Sequence, residues 1–174
     1  MPATTWSLAV GGFATAEDDR RDAQRGAVAV ARGLADELLA ADSLLVAVPL
    51  YNFGVSEHVK TWVDVVITDP RLAAAGQPLA GRPAVLVVVR GGAYGPGTPR
   101  EGWDRATGWM RRILEDAWGP DLRIVDTEFT LAGQNPALDQ FIETAAEMRA
   151  AAELLAAEQG SHLAGVGARA AQPE

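Results

Sequence analysis

Two stretches of the chain, Leu44–Val48 and Ala84–Val89, are apolar at every position, and a third, Leu122–Thr130, reads as a strand with partial alternation. A strand with no polar face is buried on both sides, as in a parallel sheet. Between these stretches the apolar positions switch to helical spacing. Val28, Ala31, Leu34, Leu38 and Leu39 predict a helix from about Ala16 to Ala41, with Thr15 and Asp18 as its capping box. Ser56 is placed to cap a helix ending near Val66. Trp103, Trp109, Ile113 and Leu114 anchor a helix over Arg100–Trp118, and Pro136 suits the first turn of a last helix ending near Glu158. Residues 68–82 and Arg90–Gly97 carry prolines and glycines and read as connections.

Helices therefore alternate with strands, which predicts one α/β domain, an open parallel sheet with right-handed crossovers. It spans residues 1–159, and the Gly/Ala-rich residues 160–174 read as a disordered tail. Three strands make a thin sheet. Leu44–Val48 has the composition of a central strand, so its free edge should be covered by another strand of this chain, by another subunit, or by residues outside this chain. Trp6–Val10 can supply a short strand, ended at once by Gly11-Gly12.

Composition narrows the chemistry. The 174 residues contain no cysteine, which excludes a disulfide framework, a thiol nucleophile and a thiolate metal site. The net charge of −8, with no basic patch, argues against nucleic acid or an anionic membrane as partner. No apolar run is long enough to span a bilayer, and no signal peptide is visible, so the expected location is the cytoplasm. His58 and His162 stand alone, and no metal cluster is expected. The four serines lie outside any Gly-x-Ser-x-Gly pattern, which ranks a hydrolase last. Gly11–Thr15 before a helix can imitate a phosphate loop, but Glu17, Asp18 and Asp19 at the same place repel an anion.

Pro49-Leu50-Tyr51-Asn52-Phe53 follows the first apolar strand directly. Ligands of open α/β sheets bind at the C-terminal ends of the strands. A loop of rings, backbone amides and one carboxamide suits a planar, partly polar ligand such as a flavin. Taken by itself, the loop reads more readily as an ordinary post-strand turn with Asn in a turn position.

Pro49–Phe53, then Val59-Lys60 and Asp64-Val65-Val66, resembles the FMN-dependent NAD(P)H azoreductases and quinone reductases of flavodoxin-like fold. In that family a strand ends in Pro-Met-Tyr-Asn-Phe, and an aliphatic-Lys pair and Asp-aliphatic-Val follow on the next helix. Its second flavin loop is an apolar strand ending in Arg-Gly-Gly, here Val88-Val89-Arg90-Gly91-Gly92. Leu50 stands for the usual Met, Val89 for a frequent Ser or Thr, and Thr68-Asp69-Pro70 for a segment near the flavin.

The resemblance implies a flavodoxin-like three-layer sheet that is N-terminally incomplete, because the family begins with a strand, a Ser-rich phosphate loop, a helix and a second strand. It implies FMN held by Pro49, Leu50, Tyr51, Asn52, Phe53, Val89, Arg90, Gly91, Gly92 and Tyr94, with no catalytic side chain. It further implies NADH or NADPH as donor, a quinone or azo compound as acceptor, and a homodimer. The competing expectations are a non-catalytic fragment with half a flavin pocket, and a binding or assembly module that adds a partner at the open strand edge.

Overall fold

The computed structural model describes residues 4–73 and 76–170. Three strands, β1 (Leu44–Pro49), β2 (Pro83–Val89) and β3 (Asp121–Thr127), form one parallel sheet in the order β1-β2-β3. Pro49, Val89 and Thr127 are in register, so the three C-terminal ends lie level. The third strand stops earlier than the apolar pattern suggested, and the chain turns at Phe129, whose φ is 56°.

One face of the sheet packs against α2 (Asp22–Ala40), α3 (Glu57–Val66) and α4 (Ala106–Arg111). α4 continues as a π-helical stretch, Arg112–Trp118. Leu44, Val48, Ala84, Leu86 and Val88 on this face meet Ala35, Leu38, Val63, Val66, Met110, Leu114 and Trp118. Trp118 is fully buried, stands edge-on to Trp62 at 5.8 Å, and donates its indole N–H to Leu72 O at 3.2 Å. The π-helical widening ends at Gly119, whose φ of 81° places it in the left-handed region and whose N–H reaches Leu114 O at 2.9 Å.

The other face is covered by α5 (Ile142–Ala170), which lies over β3 and β2. α5 extends beyond the expected end near Glu158, through part of the predicted tail, while residues 171–174 lie outside the described residues. Leu45 of β1 remains 67% exposed, so this strand has a wet face despite its uniformly apolar sequence.

The N-terminal segment is a correction. Trp6–Val10 forms no strand. It lies within α1 (Thr5–Phe13), a helix that packs on α2 and α3. Gly11-Gly12 lies inside α1 and forms no loop. A Cβ on Gly12 would stand 2.5 Å from Val28 Cγ2, so glycine here permits close helix–helix approach. The predicted helix from Ala16 also starts later. The Thr15 hydroxyl donates back to Gly11 O at 2.7 Å, and Arg20 Nε donates to Gly12 O at 2.7 Å, so both serve the end of α1. Glu17–Asp19 makes one 3₁₀ turn. α2 begins at Asp22, where Gln24 Oε1 accepts the Arg21 N–H at 3.0 Å.

Candidate active site

Both loops expected to hold a ligand emerge side by side at the C-terminal ends of β1 and β2. The Leu50 N–H donates to Val89 O at 2.9 Å, carrying the pairing one residue past the strands. The chain then reverses in a four-residue turn, with Tyr51 and Gly54 exchanging both backbone hydrogen bonds at 2.9 Å. Asn52 (φ 46°) and Phe53 (φ 66°) occupy the two central positions, both in the left-handed region, as type I′ geometry demands. Asn is well suited to that conformation, but a bulky Phe is rare there, and such strain concentrates at ligand sites.

Phe53 is held from two sides by the second loop region. Trp103 lies 5.4 Å away at an interplanar angle of 79°, and Tyr94 lies 6.3 Å away at 67°. The Phe53 carbonyl accepts the Arg105 N–H at 2.9 Å. Trp103 was expected to anchor a helix. It lies in the loop before α4 because Asp104 caps that helix, accepting the Ala106 and Thr107 N–H groups at 2.9 and 3.0 Å. The N-capping preference of aspartate was the available signal for this later start.

Arg90 was expected among the residues of the second ligand loop. Its side chain turns inward and is buried. Nε donates to Asp104 Oδ2 at 2.7 Å and Nη2 to Thr107 Oγ1 at 3.0 Å. Nη1 bonds Asp126 and lies 3.7 Å from Glu128 Oε1. Burial works against the charged guanidinium, but the bonds to Asp126 and Asp104 outweigh it and raise the Arg90 pKa above its ordinary value. Burial likewise opposes the charged form of Asp104. The Thr107 hydroxyl and amide together with Arg90 prevail and hold its carboxyl below the usual range. The Arg90 backbone is also committed: its N–H donates to Thr127 O at 2.9 Å, and its O accepts Thr130 N–H at 3.1 Å. Arg90 therefore ties the ends of β2 and β3 to the start of α4.

Glu128 extends the tie, accepting the Tyr94 N–H at 3.0 Å. A lone glutamate after a strand gave no sequence signal for this. At Gly91 a Cβ would stand 2.7 Å from Leu131 Cδ1, so the absent side chain leaves room for Leu131.

What remains free is backbone. Among the described residues, the N–H groups of Asn52, Phe53, Gly91, Gly92 and Ala93 have no protein acceptor, and the Asn52 carboxamide has no protein partner. Two cavities adjoin the region. One, about 560 Å³, lies between residues 91–100 and 129–141, and the other, about 530 Å³, lies between the sheet and α5. Neither is lined by residues 49–53. No group of three or more potential metal ligands occurs among the described residues, and no described helix is long and apolar enough to cross a membrane.

Comparison with known proteins agrees with this architecture. Residues 3–154 match the family model described as flavodoxin-like fold. An FMN-dependent NADH:quinone oxidoreductase of Parafrankia sp. is 32% identical over 92% of this chain and 77% of its own length. The protein of that name from Streptomyces avermitilis is 36% identical over 81% of this chain and 65% of its own length. The chain thus spans about two thirds to three quarters of the length of these curated relatives. Among solved structures, an azoreductase from Bacillus anthracis superposes with a TM-score of 0.70 at 22% identity, covering 87% of this chain and 72% of that one, a likeness of fold. With two loops level at the ends of a parallel sheet, the chain belongs to the flavodoxin-like family, in which its curated relatives are FMN-dependent NADH:quinone oxidoreductases.

Proposed function

We propose that the two loops hold the ring of FMN and that the chain serves an FMN-dependent NAD(P)H oxidoreductase whose acceptors are quinones or azo compounds. The observation that carries this reading is the set of unpaired N–H groups at Asn52, Phe53, Gly91, Gly92 and Ala93, together with the free Asn52 carboxamide. These donors are clustered at the C-terminal ends of parallel strands, where ligands of open α/β sheets bind, and they suit the polar edge of a flavin. Pro49, Leu50 and Tyr51 border the same edge, and Val89 and Tyr94 flank the second loop. The activity by which the relatives are named, NADH:quinone oxidoreduction with FMN, fits this donor set.

Bound FMN would supply the redox chemistry, taking a hydride from the nicotinamide and passing two electrons to the acceptor in a separate half-reaction. In the balanced reaction, NADH, a proton and a quinone give NAD⁺ and the hydroquinone. An azo bond takes up two electrons and two protons per turn in the same way. The chain's own contribution is to orient the ring and to exclude competing geometries. NADPH as an alternative donor, a homodimer and a cytoplasmic location complete the proposal.

A second reading has its own support. Gly11-Gly12, the segment whose sequence imitates a phosphate loop, is helical, and Glu17–Asp19 follows it. On that reading the chain is a scaffold that does not hold FMN alone. Titration with FMN, followed by quenching of flavin fluorescence, separates the two. Saturable binding at one site per chain supports the oxidoreductase; a folded chain that leaves FMN free supports the scaffold.

A further inference from the structure

The rings at the mouth of the site are more exposed than their packing requires. Tyr51 is 60% exposed and Trp103 51% exposed, with Phe53 between partners on both sides. Single exposed rings are common on soluble proteins, but several together at a sheet's C-terminal end form a patch with a use. Phe53 is already engaged edge-on by Trp103 and Tyr94, so its contacts fix the position of Trp103. The indole of Trp103 keeps half of its surface free.

A cation borders the same patch. The Arg100 guanidinium lies over the Tyr94 ring, 5.9 Å from its centroid, with Nη1 3.4 Å from the Tyr94 hydroxyl. Among the described residues Arg100 has no carboxylate partner, although the chain carries a net charge of −8. A positive group left unpaired in an acidic protein is available to an incoming anion.

We propose that Trp103, with Phe53 packed edge-on against it, is the platform on which a planar aromatic electron acceptor lies, and that Arg100 at the rim favours acceptors bearing an anionic substituent. This inference rests on the oxidoreductase reading above. The platform moves no proton and forms no bond. It presents a flat apolar surface to a flat substrate, and the sulfonate or carboxylate of the substrate reaches the guanidinium.

The test uses the chain loaded with FMN, turning over NADH with three acceptors: menadione, 1,2-naphthoquinone-4-sulfonate and ferricyanide. Trp103→Ala should raise KM for both naphthoquinones about tenfold, with kcat and the ferricyanide rate changed less than twofold, and Trp103→Phe should restore most of the loss. Arg100→Gln should raise KM about fivefold for the sulfonated quinone alone, an effect that added salt reproduces in the unaltered chain. An equal loss with ferricyanide, or no loss with the naphthoquinones, overturns the platform. Equal effects of Arg100→Gln on both quinones overturn the charge preference. Flavin fluorescence is read before turnover: a chain that takes up no FMN overturns the oxidoreductase reading and this inference together, whereas a loaded chain indifferent to Trp103 overturns the inference alone.

Discussion

Asn52 and Asp104 show how far single residues set this site. Asn52 accepts a left-handed backbone that most residues resist, and the turn leaves its carboxamide unpartnered. Replacing it with Ala should weaken FMN binding about five- to tenfold, the loss of one hydrogen-bonding group at a ligand edge. Fluorescence titration of a folded variant checks this, and an unchanged affinity would remove Asn52 from the cradle. Asp104 carries a pH signature. Its carboxyl is held below the usual range despite burial, through the Thr107 hydroxyl and amide and Arg90. A depressed folded-state pKa contributes stability that is present above the unfolded value and lost as pH falls through the folded one. Thermal unfolding should therefore steepen its decline below about pH 4, and Asp104→Asn should flatten that decline while lowering stability at pH 7. Of these two residues, Asn52 was legible in the chain because it sits inside a strand-terminal loop. The role of Asp104 was hidden, since its partner Arg90 lies 14 residues away and their pairing needs the fold.

At the scale of elements, local pattern and packing agree for most of the chain and separate most clearly at α1 and at the start of α4. The apolar runs located all three strands, because a strand packed between layers can tolerate few polar side chains. α1 escaped the same reasoning. Its Gly11-Gly12 pair looks like a chain break, yet glycine inside a helix costs only about 1 kcal/mol, and here it lets α2 approach at Val28. The start of α4 was misjudged because Trp103 was counted among the helix anchors, whereas Asp104 provides the actual cap. The π-helical segment after α4 turns Trp118 into the core, where its indole bonds a backbone carbonyl. Trp118→Ala should cost about 3–5 kcal/mol, read as a fall in the denaturant midpoint, since it removes a fully buried ring and orphans the Leu72 carbonyl. A change below about 1 kcal/mol would mean that the segment repacks.

The whole molecule has an asymmetric second layer. α5 covers β3 and β2 but leaves the outward face of β1 wet, and β1 has no strand neighbour on its outer side among the described residues. An exposed apolar edge strand invites pairing with another chain. Leu45→Glu should therefore reduce concentration-dependent association, as measured by sedimentation velocity, with a small effect on unfolding. Association equal in both proteins would place the contact elsewhere.

The sequence alone determined the class of fold, the alternation of helices and strands from α2 onward, and which two loops sit at the mouth of the sheet. Those features follow from hydrophobic period and from short motifs, and both are local. Only the tertiary structure decided that Trp103 stands beside Phe53, that the Arg90 side chain faces inward to three carboxylates, and that β1 has one exposed face. Each of these depends on which distant segments meet. Packing competes there with local preference, and an apolar run does not record which of its faces a neighbouring layer covers.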